Sequence, residues 1–155
     1  MNRTLAMLFF VSLCLLVIFS PMDVKAAPSS KMVKEVVDYF YGGQADGPIL
    51  TDASVCKTVK ALSCEAPADP KAFTAGESAR IWMQFFVPKG ATYDDIIVEY
   101  KFEGVPRNLA SHKVEGSIRY RLVDSYQLNK VGKWTITIKK GLTVLKTFDV
   151  NVVAK

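Results

Sequence analysis

Residues 128–152 read LNKVGKWTITIKKGLTVLKTFDVNV. Trp134, Ile136 and Ile138 alternate with Thr135, Thr137 and Lys139, the period of two that marks a half-buried strand. Gly141 then breaks the pattern and supplies the positive φ that a tight hairpin turn demands. On the return leg Phe148, Val150 and Val152 share one face, against Thr147, Asp149 and Asn151 on the other. This is a β-hairpin with one apolar face, which other strands must cover.

Upstream segments have the pattern to do so. Over 79–87, Ile81, Met83, Phe85 and Val87 line one face, while Trp82 and Phe86 on the other predict a central strand covered on both sides. Pro88, Lys89 and Gly90 end it. Ile96, Val98, Tyr100 and Phe102 line the next strand, a turn follows at 103–106, and 109–114 reads as a short polar edge strand. Over 118–128, Ile118, Tyr120 and Leu122 are expected to face the core, with Arg119, Arg121 and Val123 outward. A first strand at 49–59 alternates imperfectly, as an edge or bulged strand does, and the Pro-rich 66–70 excludes regular structure. The expected core is Ile81, Met83, Phe85, Val98, Tyr100, Tyr120, Trp134, Ile136, Ile138, Phe148 and Val150.

About seven short strands with Gly, Pro, Asn and Asp between them predict an all-β, immunoglobulin-like antiparallel sandwich over 49–155. A closed barrel fits the same pattern.

The remainder divides in two. Arg3, an apolar run over 5–19, Pro21 and the small residues Ala26 and Ala27 follow the order of a secretory signal peptide cut after Ala26. The run is shorter than the roughly 20 residues of a spanning helix, so cleavage is expected to leave no membrane span. Between 27 and 48 lie a short helix and a linker. Val33, Val36, Val37 and Phe40 recur at helical spacing over 31–41, with Ser29 or Ser30 as N-cap and Gly42-Gly43 at the end.

Loss of the leader removes Cys14 and leaves Cys56 and Cys64, an even pair expected to form a disulfide in an exported chain. The formal charge of +5 drops by one when Arg3, Asp23 and Lys25 leave with the leader. Such a mild excess, dispersed along strands, is no nucleic-acid footprint.

The residues offer little chemistry. His112 neighbours Ser111 on a strand, where adjacent side chains point to opposite faces, so the two make no catalytic pair. Asp94 and Asp95 sit where turns favour aspartate, and no phosphate-cradling loop or metal set is present. No catalytic residue, metal or cofactor is predicted. The expected binding patch combines Arg119 and Arg121 with Lys139 and Lys101, suited to an acidic polysaccharide, lipid headgroup or acidic partner.

The stretches VEYKFEGV from Val98, GSIRYRLVDS from Gly116 and VGKWTITIKKGLTVL from Val131 resemble bacterial exported immunoglobulin-like domains of unknown function. Those domains end in a Gly-x-Trp strand, a hairpin and a Phe-containing strand. The resemblance covers 80–152 and rests on Gly132, Trp134, Gly141 and Phe148; it implies a fold and an envelope location and brings no catalytic residues. The expected function is a non-enzymatic exported module whose partner is a protein of the cell envelope. A hydrolase using carboxylates such as Asp94 and Glu99, or a subunit assembling through an edge strand, are the other classes. Composition and spacing leave the oligomeric state open.

Overall fold

The structure is a computed structural model that describes residues 28–67 and 73–155. The expected leader at 1–26 and residues 68–72 of the Pro-rich link lie outside the described residues. The chain forms helix α1 (Ser30–Gly42), a 3-10 turn (Gly43–Ala45) and seven strands. These are β1 (Ile49–Lys60), β2 (Ser63–Pro67), β3 (Phe73–Thr74), β4 (Glu77–Phe102), β5 (Val105–Leu128), β6 (Gly132–Lys140) and β7 (Thr143–Val153).

Two of these strands are far longer than the pattern suggests. The apolar segments at 79–87 and 96–102 belong to one 26-residue strand, β4, and the segments at 109–114 and 118–128 belong to the 24-residue β5. Pro88, Lys89 and Gly90 therefore bend the chain without ending the strand. The bend is shared: register shifts fall between Phe85 and Val87, Val87 and Thr92, and Tyr93 and Ile96 where β4 pairs β5. Gly90 takes φ +74°. Opposite it, a Cβ on Gly116 would lie 2.8 Å from the Gly90 nitrogen and 2.9 Å from the Pro88 oxygen, so the two backbones cross where only glycine fits.

The bend makes two layers from one hairpin. Residues 77–87 of β4 pair β1 on one side and residues 117–128 of β5 on the other, with β2 beyond β1. Residues 96–102 of β4 pair β6 and residues 105–112 of β5, with β7 and then β3 beyond β6. The path runs from β2 to β3 without closing, so this is a sandwich and not a barrel. First-layer strands β1, β4 and β5, with β6 and β7 completing the second layer, give the immunoglobulin-like order.

Alternation fills the space between the layers. Ile81, Met83 and Phe85 face Val98, Tyr100, Trp134, Ile136 and Ile138, all with no exposed surface, and Val150 is 1% exposed. Tyr126 bridges the layers, its ring 4.8 Å from Tyr100 and 6.0 Å from Trp134. Burial of Trp134 leaves its indole N–H a partner, the Lys130 oxygen at 2.9 Å. Three expected core residues depart from this. Tyr120 and Phe148 are partly buried, packing on the core's rim, because β5 and most of β7 lie at the layer margins. Ile118 is 68% exposed: it and Arg119 both stand opposite Phe86, as Tyr120 pairs Phe85 and Ser117 pairs Val87, and this bulge breaks the alternation.

The first layer's outer face is covered where Trp82 and Phe86 predict it. Trp82 donates to the Leu62 oxygen at 2.6 Å, and Phe86 packs on Tyr39 and Phe40 of α1. Ser29 caps the helix by accepting from the Met32 amide. Tyr39 donates to the Gly47 oxygen and ties down the helix's last turn. The helix thus lies on a sheet face and not over an edge, while Met32, Val33, Val36 and Val37 remain about half exposed.

Cys56 and Cys64 form a disulfide across the β1–β2 hairpin, whose turn at Ala61 and Leu62 has positive φ. Cys64 lies in β2 and not in an open loop, and β2 continues through Ala66 and Pro67, which the Pro-rich pattern assigns to irregular structure. Pro67 is tolerated because it ends an edge strand.

Two outcomes are expected. Replacing both cysteines by serine frees a short loop, and the urea unfolding free energy should fall by about 2–3 kcal/mol. Gly116→Ala inserts a methyl group against rigid backbone and should lower stability by about 1–3 kcal/mol, read as a shift in the same urea midpoint.

Candidate functional site

β5 is the structure's largest unprotected feature. Among the described residues it pairs β4 alone, so its other side is a free edge there, of the first layer over 117–128 and of the second over 105–112. Such edges invite further pairing unless something blunts them. The other edges are shorter: β2 has five residues and ends in Pro67, β3 has two, and among the described residues β7 lacks a partner on its far side over 143–151, where Lys146 stands mid-edge. Beside β1, Lys146 of β7 caps the Ala53 oxygen at 2.7 Å.

Along β5 the start is guarded by Pro106 and by a register shift between Tyr100 and Lys101. The bulge at Ile118 and Arg119 interrupts the middle. From Tyr120 to Leu128 the register against Phe85 to Glu77 is unbroken, and the nine residues contain no proline and no lysine. One face of this stretch carries the partly buried Tyr120, Leu122 and Tyr126 on the core's rim; the alternate positions carry Arg121, Val123, Ser125 and Gln127.

A polar anchor holds this edge in place. Tyr100, buried in the second layer, donates from its hydroxyl to Asp124 Oδ2 at 2.5 Å. His112, on the second-layer half of β5, places Nε2 3.2 Å from Asp124 Oδ1. That ring nitrogen is buried and makes no hydrogen bond among the described residues, so the contact is a close polar approach. Burial pushes the Asp124 carboxyl up, and the nearby His112 ring and the Tyr100 hydroxyl outweigh this, leaving it below the usual carboxylate range. Burial, aided by Asp124, raises the Tyr100 hydroxyl far above its ordinary value, so it stays a donor. One carboxylate thus ties both halves of β5 to the interior.

The polar edge strand expected at 109–114 holds His112, and no role is expected of Asp124. Its signal lies on its own side of the bulge: Asp124 shares the register of Tyr120, Leu122 and Tyr126, which line the core's rim. A charged residue in that register needs an interior partner.

The four cations expected to form one patch fall into two groups. Lys139 and Lys101 both contact Glu99, Lys139 by a short hydrogen bond and Lys101 at 3.2 Å, on the second layer. The Lys139 hydrogen bond, acting against burial and helped by Lys101, keeps the Glu99 carboxyl below its ordinary range. Arg121, on the first layer, donates from Nε to Gln84 Oε1 at 3.1 Å, and Arg119 is exposed beside it. The bend in β4 and β5 separates the pairs by sending their strands into different sheets. Asp94 is exposed; Asp95 contacts Lys140 at 3.5 Å. Among the described residues no His, Cys, Asp or Glu group of three or more is placed to hold a metal ion. No described helix is long and apolar enough to cross a membrane.

No family model and no curated protein matches the chain. Among solved structures it is similar to an immunoglobulin-like protein of Pseudomonas aeruginosa, at 12% identity and a TM-score of 0.49, over 68% of this chain and 95% of that one. It is also similar to the CARDB domain of a Pyrococcus furiosus protein, at 18% identity and a TM-score of 0.40, over 70% of this chain and 98% of that one. At these values neither likeness speaks to function, and the strand order itself defines the fold.

The two lowered carboxyls set a pH dependence. Each binds a proton less readily folded than unfolded, so its stabilisation is present above the unfolded-state value of about 4 and is lost as pH falls through the lower folded-state value. Urea midpoints should decline below about pH 4. Asp124→Asn should be less stable than the parent at pH 7, and the gap should close as pH falls through the lowered folded-state value of the parent's carboxyl.

Proposed function

We propose that this chain is a non-enzymatic, exported immunoglobulin-like module of the bacterial cell envelope that binds a protein partner along the free edge of β5. The carrying observation is that among the described residues β5 pairs on one side only over 24 residues, while β7, the other long margin strand, has 11 and carries Lys146 mid-edge, and β2 and β3 are short. Strand addition to an open edge recognises protein through main-chain hydrogen bonds, and side-chain positions on either face add selectivity. The leader pattern and the disulfide support an oxidising compartment outside the cytoplasm. The Gly-x-Trp resemblance supports the same assignment.

The hydrolase reading loses ground on the geometry of Glu99. A carboxyl held ionised between two lysines is a poor proton donor near neutral pH. Assembly of copies through the edge uses the same surface, but Arg119 and Arg121 would meet their counterparts when the strands pair about Tyr120, which disfavours that register.

The test is site-specific photo-crosslinking of the mature protein in its native envelope. A photoreactive residue at the exposed Ser125 should trap a distinct protein, and one at Leu142, on the β6–β7 turn, should not. Adducts only between copies would favour the assembly reading. Absence of any adduct at Ser125 would sink the proposal.

A further inference from the structure

We infer that the partner segment received at Tyr120–Leu128 is an extended strand that alternates apolar with acidic residues; this rests on the proposed edge-binding function and names the chemistry of its ligand. The half-buried Tyr120, Leu122 and Tyr126 leave an apolar strip incomplete at the layer's margin. Alternate side chains of an added strand would cover it, as each neighbouring strand does elsewhere in the sandwich.

The intervening side chains of that strand would lie over the outer face, where the charge is positive. Among residues 117–128 the charged side chains are Arg119, Arg121 and Asp124, and Asp124 is spent on His112 and Tyr100. Arg121 engages Gln84 through Nε, and Arg119 makes no ion pair among the described residues. Two arginines two residues apart therefore face the added strand without an acidic partner. Carboxylates at alternate positions of that strand would stand opposite them at cross-strand distance.

The anchor gives the edge its readiness. Asp124 lies mid-way along the stretch, and its contacts with Tyr100 and His112 hold the strand against the core, so little ordering remains for binding to supply. Backbone groups of β5 on the free side are then presented in a fixed row.

The experiment uses three labelled nine-residue peptides titrated into the mature protein and followed by fluorescence anisotropy. One alternates Val and Glu, one alternates Val and Lys, and one is the Val/Glu peptide with alternate amides N-methylated along one edge. The Val/Glu peptide should bind with saturation, and the Val/Lys peptide at least about tenfold more weakly. N-methylation should abolish binding, and Arg119→Glu with Arg121→Glu should reverse the charge preference. Arg119 is exposed and Arg121 half-buried, and thermal unfolding of the double variant checks that it folds as the parent does. Amide exchange on adding the Val/Glu peptide should slow in 120–128 and not in β7.

Equal binding of the two charge patterns, undiminished binding after N-methylation, or no binding would overturn the inference. Crosslinking separates this failure from that of the wider reading. If Ser125 traps the same partner in the arginine double variant as in the parent, the acidic segment is wrong and the edge-binding module stands. If Ser125 traps nothing in the parent, the module reading itself fails.

Discussion

The sandwich depends on one constraint, that β4 and β5 must bend together without coming apart. A hairpin of 26 and 24 residues is too long to lie in a small twisted sheet, and its two halves enter opposite layers. What permits this is the crossing of backbones at Gly90, which takes φ +74°, and Gly116, where a Cβ would meet main-chain atoms at under 3 Å. The register shifts around the bend then let each half recover regular pairing with its own neighbours. Everything else follows: β1 and β2 extend the first layer, β6, β7 and β3 extend the second, and the apolar faces meet between them.

The same bend decides which surfaces are open. Because β5 follows β4 through the bend, it forms the margin of both layers on one side, and no described strand pairs its far side. A margin strand of this length would be free to fray, and the Tyr100, Asp124 and His112 cluster opposes that from inside. A carboxylate with both oxygens contacted fixes strand position more sharply than apolar contact would, because an unsatisfied buried carboxylate is costly. The edge is both exposed and held, a combination suited to receiving another strand.

The period-two alternation at Ile81, Met83 and Phe85, at Val98 and Tyr100, and at Trp134, Ile136 and Ile138 was legible because each side chain's face follows from its neighbours' faces. Helix α1 was legible for a like reason, with Ser29 and the two glycines bounding its period. The alternation failed at Ile118, where the bulge opposite Phe86 inserts a residue. It also divided β4 and β5 too early, since Pro and Gly mark a bend and a turn alike. The expected basic patch combines side chains of different layers, and Lys101 and Lys139 share Glu99.

Local pattern alone specified the all-β class, the helix, the hairpin at Gly141 and the pairing of Cys56 with Cys64, because these depend on local periodicity, local turn chemistry and the two cysteines expected to remain once Cys14 is assigned to the leader. Only the tertiary structure decided that two hairpin legs cross from layer to layer, that Asp124 meets Tyr100 and His112, and that β5 is the open edge. Those features join residues 12 to 24 positions apart, or turn on which strand lacks a neighbour, and no local pattern encodes the absence of a pairing partner.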